Sequence, residues 1–209
     1  MNKTEILSII NQKGGVGKTT TAINLAAGLA LKNKKVLVID LDPQGNATTG
    51  LGLSNSESSG ETIYAVLNGT KKILDAIKKT QFQNLDLVSS NVDLSGLEVE
   101  TAGDSRRAFI LKEQIMAYLN DFRGKYEYIF IDCPPSLSLL TVMALVASNS
   151  LIVPLQTEFF ALEGLTQLMK TIERIKISLN SDLKIKGILL TMYDKRNKLS
   201  GQVEKEARD

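Results

Sequence analysis

Residues 6–20 read ILSIINQKGGVGKTT: an apolar run, a glycine-rich turn, then a lysine and two threonines. The run at 6–10 is short and almost continuously apolar, the pattern of a buried strand. A helical pattern follows over residues 19–32. Strand, glycine turn and helix in that order make a phosphate-binding loop. Gly14, Gly15 and Gly17, with Val16 among them, let successive backbone N–H groups turn toward one anion. The helix start adds its positive end. Lys18 is placed to reach β- and γ-phosphates, the Thr19 hydroxyl to bind Mg²⁺, and Thr20 to donate to an α-phosphate. ATP and Mg²⁺ are the expected ligands.

The loop departs from the usual G-x-x-x-x-G-K-[ST] spacing. Gln12 stands at the first glycine position, and a second lysine, Lys13, follows it. Downstream, short apolar runs at 36–39, 85–88, 128–131, 151–155 and 185–190 read as further buried strands. Helical patterns at 61–68, 71–78, 108–120, 139–147 and 162–179 alternate with them. This alternation predicts one α/β domain over 1–209, a three-layer sandwich with a mostly parallel sheet covered on both faces. Residues 54–60 are small and polar and read as a surface loop.

Two strand ends carry carboxylates. The run at 36–39 leads into Asp40-Leu41-Asp42-Pro43-Gln44-Gly45-Asn46, and the run at 128–131 into Asp132-Cys133-Pro134-Pro135. A carboxylate at the C-terminal end of a parallel strand faces the ligand crevice. Asp132 is expected to hold Mg²⁺ or a water on it. Asp42 has a plainer alternative, a turn cap before Pro43.

Composition narrows the chemistry. Hydrophobic residues make up 43% and charged residues 23%, so the chain can build an ordinary core. There is no histidine, which excludes histidine triads and zinc–histidine sites. Cys133 is the one cysteine, so no internal disulfide forms. It reads as a buried small residue, since no histidine can activate it. No apolar run reaches membrane-spanning length, so no membrane partner is expected. Residues 170–209 hold ten basic and six acidic side chains, against fifteen and seventeen in the rest. That is a modest patch for an anionic partner or simply a solvated helical surface.

The variant loop Lys13-Gly-Gly-Val-Gly-Lys-Thr-Thr20 resembles the deviant phosphate loop of ParA/MinD-type ATPases. The blocks at 42–48 (DPQGNAT) and 160–165 (FALEGL) resemble the ParA/Soj partitioning branch. The resemblance spans nearly the whole chain. It implies an ATP-dependent homodimer in which Lys13 crosses to the partner's nucleotide. It gives Asp42 the attacking water to orient and places Asp40 nearer the magnesium shell. It also implies slow ATP hydrolysis, nonspecific DNA binding, a ParB-type activator and a cytoplasmic, nucleoid-associated setting. Lys195, Arg196, Lys198, Lys205 and Arg208 are DNA candidates, Arg196 foremost. Residues 191–194 are expected to supply part of an adenine pocket. Residues 201–209 read as the start of a helix, and the family pattern leads one to expect further chain beyond it. A positioning ATPase for a protein cargo, a phosphotransferase of dethiobiotin-synthetase type and an inactive remnant remain as alternatives.

Overall fold

The computed structural model describes residues 4–53 and 60–208. The loop expected at 54–60 therefore falls almost wholly outside the described residues. Among the described residues seven strands form one sheet: β1 (Glu5–Ile9), β2 (Val36–Asp40), β3 (Ile77–Lys79), β4 (Leu85–Val88), β5 (Tyr128–Asp132), β6 (Ser150–Gln156) and β7 (Lys184–Thr191). Their order is β3-β4-β2-β5-β1-β6-β7, and all pairings are parallel except β3 with β4. This is the α/β sandwich of P-loop NTPases, with six of the strands on the predicted apolar runs.

Helices α1 (Lys18–Leu31), α2 (Asn46–Gly50), α3 (Ile63–Leu67), α4 (Ile73–Ala76), α5 (Leu97–Glu100), α6 (Ile110–Asp121), α7 (Leu139–Ala147), α8 (Ala161–Ser178) and α9 (Lys198–Arg208) complete the described chain. Strand alternation divides the core between the two faces. Leu7, Ile9, Val36, Val38 and Phe130 pack under α1. The α1 contacts are Ala22, Ala26 and Ala30, an i, i+4 row without bulk, which lets the helix lie close on the sheet. Ile6, Leu37, Ile39, Ile129 and Ile131 face the other way, against Leu111, Ile115 and Met143 of α6 and α7. Ile10, Leu151 and Val153 meet Leu168, Ile172 and Ile175 of α8.

The predicted helix at 71–78 is cut short. Asp75 accepts the Lys72 N–H at 3.1 Å and caps a single turn, which ends at Ala76. Ile77–Lys79 then runs antiparallel along β4 and closes that edge of the sheet. A three-residue edge strand carrying two lysines resists pairing with further strands, and three residues are too few to show as a periodic run.

Register brings the carboxylates together. Asp132 pairs with Ile9 on one side and Asp40 on the other. The phosphate loop, Asp40 and Asp132 therefore leave the sheet side by side at its C-terminal edge, where open α/β sheets hold their ligands.

Candidate nucleotide site

Asn11 anchors the loop that follows β1. Its amide donates to Pro154 O at 2.7 Å and its Oδ1 accepts the Lys13 N–H at 3.0 Å. Gln12, in place of a glycine, donates to Gly164 O at 3.2 Å and ties the loop to α8. Gly15 and Gly17 have φ of +75° and +88°, the left-handed region that side chains strain to reach. The loop turns on these two residues into α1. Thr191, at the end of β7, donates to Val16 O at 2.9 Å and braces the loop from outside.

The loop borders a cavity of about 430 Å³. Gly14, Gly15, Gly17, Lys18, Thr19 and Thr20 line it, together with Asp42, Asn46, Pro135 and Met192. Of the residues singled out in the sequence, the cavity gathers the loop and Asp42. Lys13, Asp40, Asp132 and Arg196 do not line it, nor does Val16, whose side chain is buried away from it. Met192 belongs to the 191–194 segment expected at the adenine pocket. Asn46 had been given no role, since an asparagine carries no chemical signature at that position.

Lys18 is 6% exposed, and its ammonium donates to Lys13 O at 2.8 Å. Burial holds its pKa below the ordinary lysine value, while the charges of Asp132 and Asp42 pull it back up. Asp132 is fully buried. Burial first, then the charge of Asp40, pushes its carboxyl up to about 7. The Thr19 hydroxyl and the Lys18 ammonium offset part of that rise. Even so, neither Asp132 oxygen has a donor in hydrogen-bond geometry.

Asp40 is equally buried but fully engaged. Its Oδ2 accepts the Thr48 N–H at 2.8 Å and the Thr48 hydroxyl at 2.7 Å, and its Oδ1 accepts the Asp42 N–H at 3.2 Å. Burial raises its pKa to about 6, against the pull of these three bonds. Asp40 thus shapes the turn that carries Asp42. The Thr48 hydroxyl also accepts the Ser90 N–H at 3.0 Å. Thr48→Ala strips Asp40 of a donor and orphans that N–H. It is expected to cost about 2 kcal/mol, lowering Tm by roughly 4–8 °C in a thermal melt.

Lys13 points elsewhere. Its side chain is 47% exposed and forms an ion pair with Glu158. Arg196 is 90% exposed and is held by Asp194, with Nε–Oδ1 at 3.0 Å and Nη2–Oδ2 at 2.8 Å. Cys133 is buried, and burial raises its thiol pKa well above the ordinary value, as expected of a packing residue. Among the described residues no group of three carboxylate or thiol side chains could cage a metal by itself. A Mg²⁺ here would lean on phosphate oxygens. The orphaned Asp132 oxygens and the Thr19 hydroxyl fit such an ion, because a buried carboxylate without donors is costly until a cation or its water meets it. No helix among the described residues is long and apolar enough to cross a membrane.

Fold and loop together define a P-loop NTPase. A family model described as an AAA domain matches residues 4–185. The chain is 52% identical over 207 residues to the chromosome partitioning protein ParA of Caulobacter vibrioides, covering 99% of this chain and 76% of that one. It is 46% identical over 204 residues to the sporulation initiation inhibitor protein Soj of Bacillus subtilis, covering 98% and 79%. Among solved structures, a plasmid partition protein from Borrelia burgdorferi superposes with a TM-score of 0.83 at 31% identity, over 99% of this chain and 86% of that one. Cobyrinic acid a,c-diamide synthase from Mycobacterium smegmatis, with bound ATP analogue and magnesium, superposes with a TM-score of 0.91 at 37% identity, over 99% and 82%. The chain belongs to the ParA/Soj family of partitioning ATPases.

Proposed function

We propose that this protein is a slow, ATP-driven dimerisation switch that binds DNA without sequence preference and is discharged by a ParB-type activator. The observation that carries the proposal is the divergence of the loop's two lysines. Lys18 turns inward to the cavity, while Lys13 stays outside it on an exposed face. A lysine beside a phosphate site yet turned away from it is positioned to serve a second subunit.

Lys18, the loop N–H groups and Thr20 hold the ATP phosphates. Thr19, with Asp132 behind it, would hold Mg²⁺, which would neutralise phosphate charge. Asp42 orients the attacking water. Dissociative phosphoryl transfer asks mainly for positioning and electrostatics, so a fixed carboxylate suffices. Lys13, released from Glu158, adds a cation across the dimer. The basic excess over 170–209 supplies phosphate contacts to DNA, and Arg196 can join them once it leaves Asp194.

Gel filtration with a slowly hydrolysed ATP analogue tests the switch. The natural protein is expected to elute as a dimer and Lys13→Ala as a monomer. A Lys13→Ala dimer overturns the role of that lysine. DNA binding by the ATP-loaded form should weaken steeply with salt, and Arg196→Ala should lower the salt slope by about one. An ATP-dependent dimer that ignores DNA would instead favour the cargo-positioning reading.

A further inference from the structure

The opposite end of the sheet holds a second cavity, of about 550 Å³, between the starts of β2, β4 and β5. Lys35 borders it ahead of β2, residues 79–84 turn over it from β3 into β4, and Lys125 and Tyr126 close it ahead of β5. None of these residues takes part in the phosphate-loop site.

Asp86, 4% exposed, organises its floor. The Tyr126 hydroxyl donates to Oδ2 at 2.6 Å, and the Lys79 ammonium reaches both oxygens at 2.9 and 2.8 Å. Lys79 and Asp86 therefore neutralise each other. The Lys125 ammonium sits 5.6–5.8 Å from the ring centroids of Tyr118, Phe122 and Tyr126, held by aromatic faces. Among the described residues neither Lys35 nor Lys125 has a carboxylate within ion-pair distance. Glu127 accepts the Lys35 backbone N–H at 3.2 Å, but its ion pair is with Lys34. Two ammonium groups without an ion pair at one concave site suit a dianion.

The rest of the lining is not that of an inorganic-ion site. The volume is that of an organic ligand. Phe82 stands on the turn with 39% of its surface exposed. Gln81, Gln83 and Asn84 flank it with side-chain amides that both donate and accept. Asn84 has φ +67°, a left-handed residue that folds the turn over the opening. An exposed ring with amides around it can stack a planar heterocycle and bond its edge.

We propose that this cavity binds a nucleoside monophosphate, independently of the phosphate loop, with its phosphate on Lys35 and Lys125 and its base against Phe82. AMP and GMP are each titrated calorimetrically into the full chain. Saturable one-to-one binding of either is expected, weakened about tenfold by Lys35→Ala or by Phe82→Ala and unchanged by Lys18→Ala. Both altered side chains are exposed, and an unchanged Tm shows that the fold is kept. No saturable binding overturns the proposal. So does binding lost in Lys18→Ala but kept in Lys35→Ala, which would place the ligand in the phosphate loop. Inorganic phosphate binding as tightly as the nucleotides would overturn it too, because Phe82 and the amides would then recognise nothing.

Discussion

Asp42→Ala is expected to bind ATP and form the dimer, yet hydrolyse ATP at least about a hundredfold more slowly. Asp42 lines the phosphate cavity with Lys18 and Thr19. Its aim is fixed locally: Oδ1 accepts the Gln44 N–H at 3.0 Å, and its own N–H is held by Asp40. Neither bond involves the loop that grips the phosphates, so its removal leaves ground-state binding almost untouched. What disappears is the carboxylate that orients water, an interaction useful only on the way to the transition state. Asp42→Asn separates the two roles of the residue. It keeps an acceptor for Gln44 and discards the charge, so it should be as slow as Asp42→Ala while melting nearer the natural protein. Phosphate release measured beside gel filtration reads both properties. Normal turnover in Asp42→Ala would show that the residue serves only its turn.

The phosphate loop was legible because its chemistry is local: three glycines, a lysine and a threonine between one strand and one helix. The same holds for the strand ends at Asp40 and Asp132, whose apolar runs announce where the chain leaves the sheet. That these two carboxylates are neighbours is a fact of register between β2 and β5, which no local pattern states. The contrast between them was hidden as well. Asp40 is saturated by Thr48, eight residues on across a turn, whereas among the described residues no donor meets Asp132 in hydrogen-bond geometry. A sequence places both beside magnesium with equal ease. Glu158 escaped notice for a similar reason, since its partner Lys13 lies 145 positions away. Edge strand β3 went unread because its three residues follow a turn of true helix and are too few to show a period of their own.

Lys18→Ala carries the largest expected loss. ATP affinity should fall about a thousandfold, which corresponds to roughly 4 kcal/mol, within the range for removing one member of a buried charge pair. The ammonium is already desolvated, held by Lys13 O and faced by Asp132 and Asp42, so ATP meets a cation whose solvent has been stripped in advance. Lys18→Arg should rescue little, because a planar fork cannot replace a compact ammonium inside the loop. Fluorescent-nucleotide titration of the monomer measures this directly. Lys13→Ala belongs in the same titration. It should keep the affinity of the monomer and lose only the dimer, since Lys13 lies outside its own cavity. Equal losses in the two variants would mean that both lysines serve one nucleotide, and the case for a switch completed by a second subunit would fall with that result.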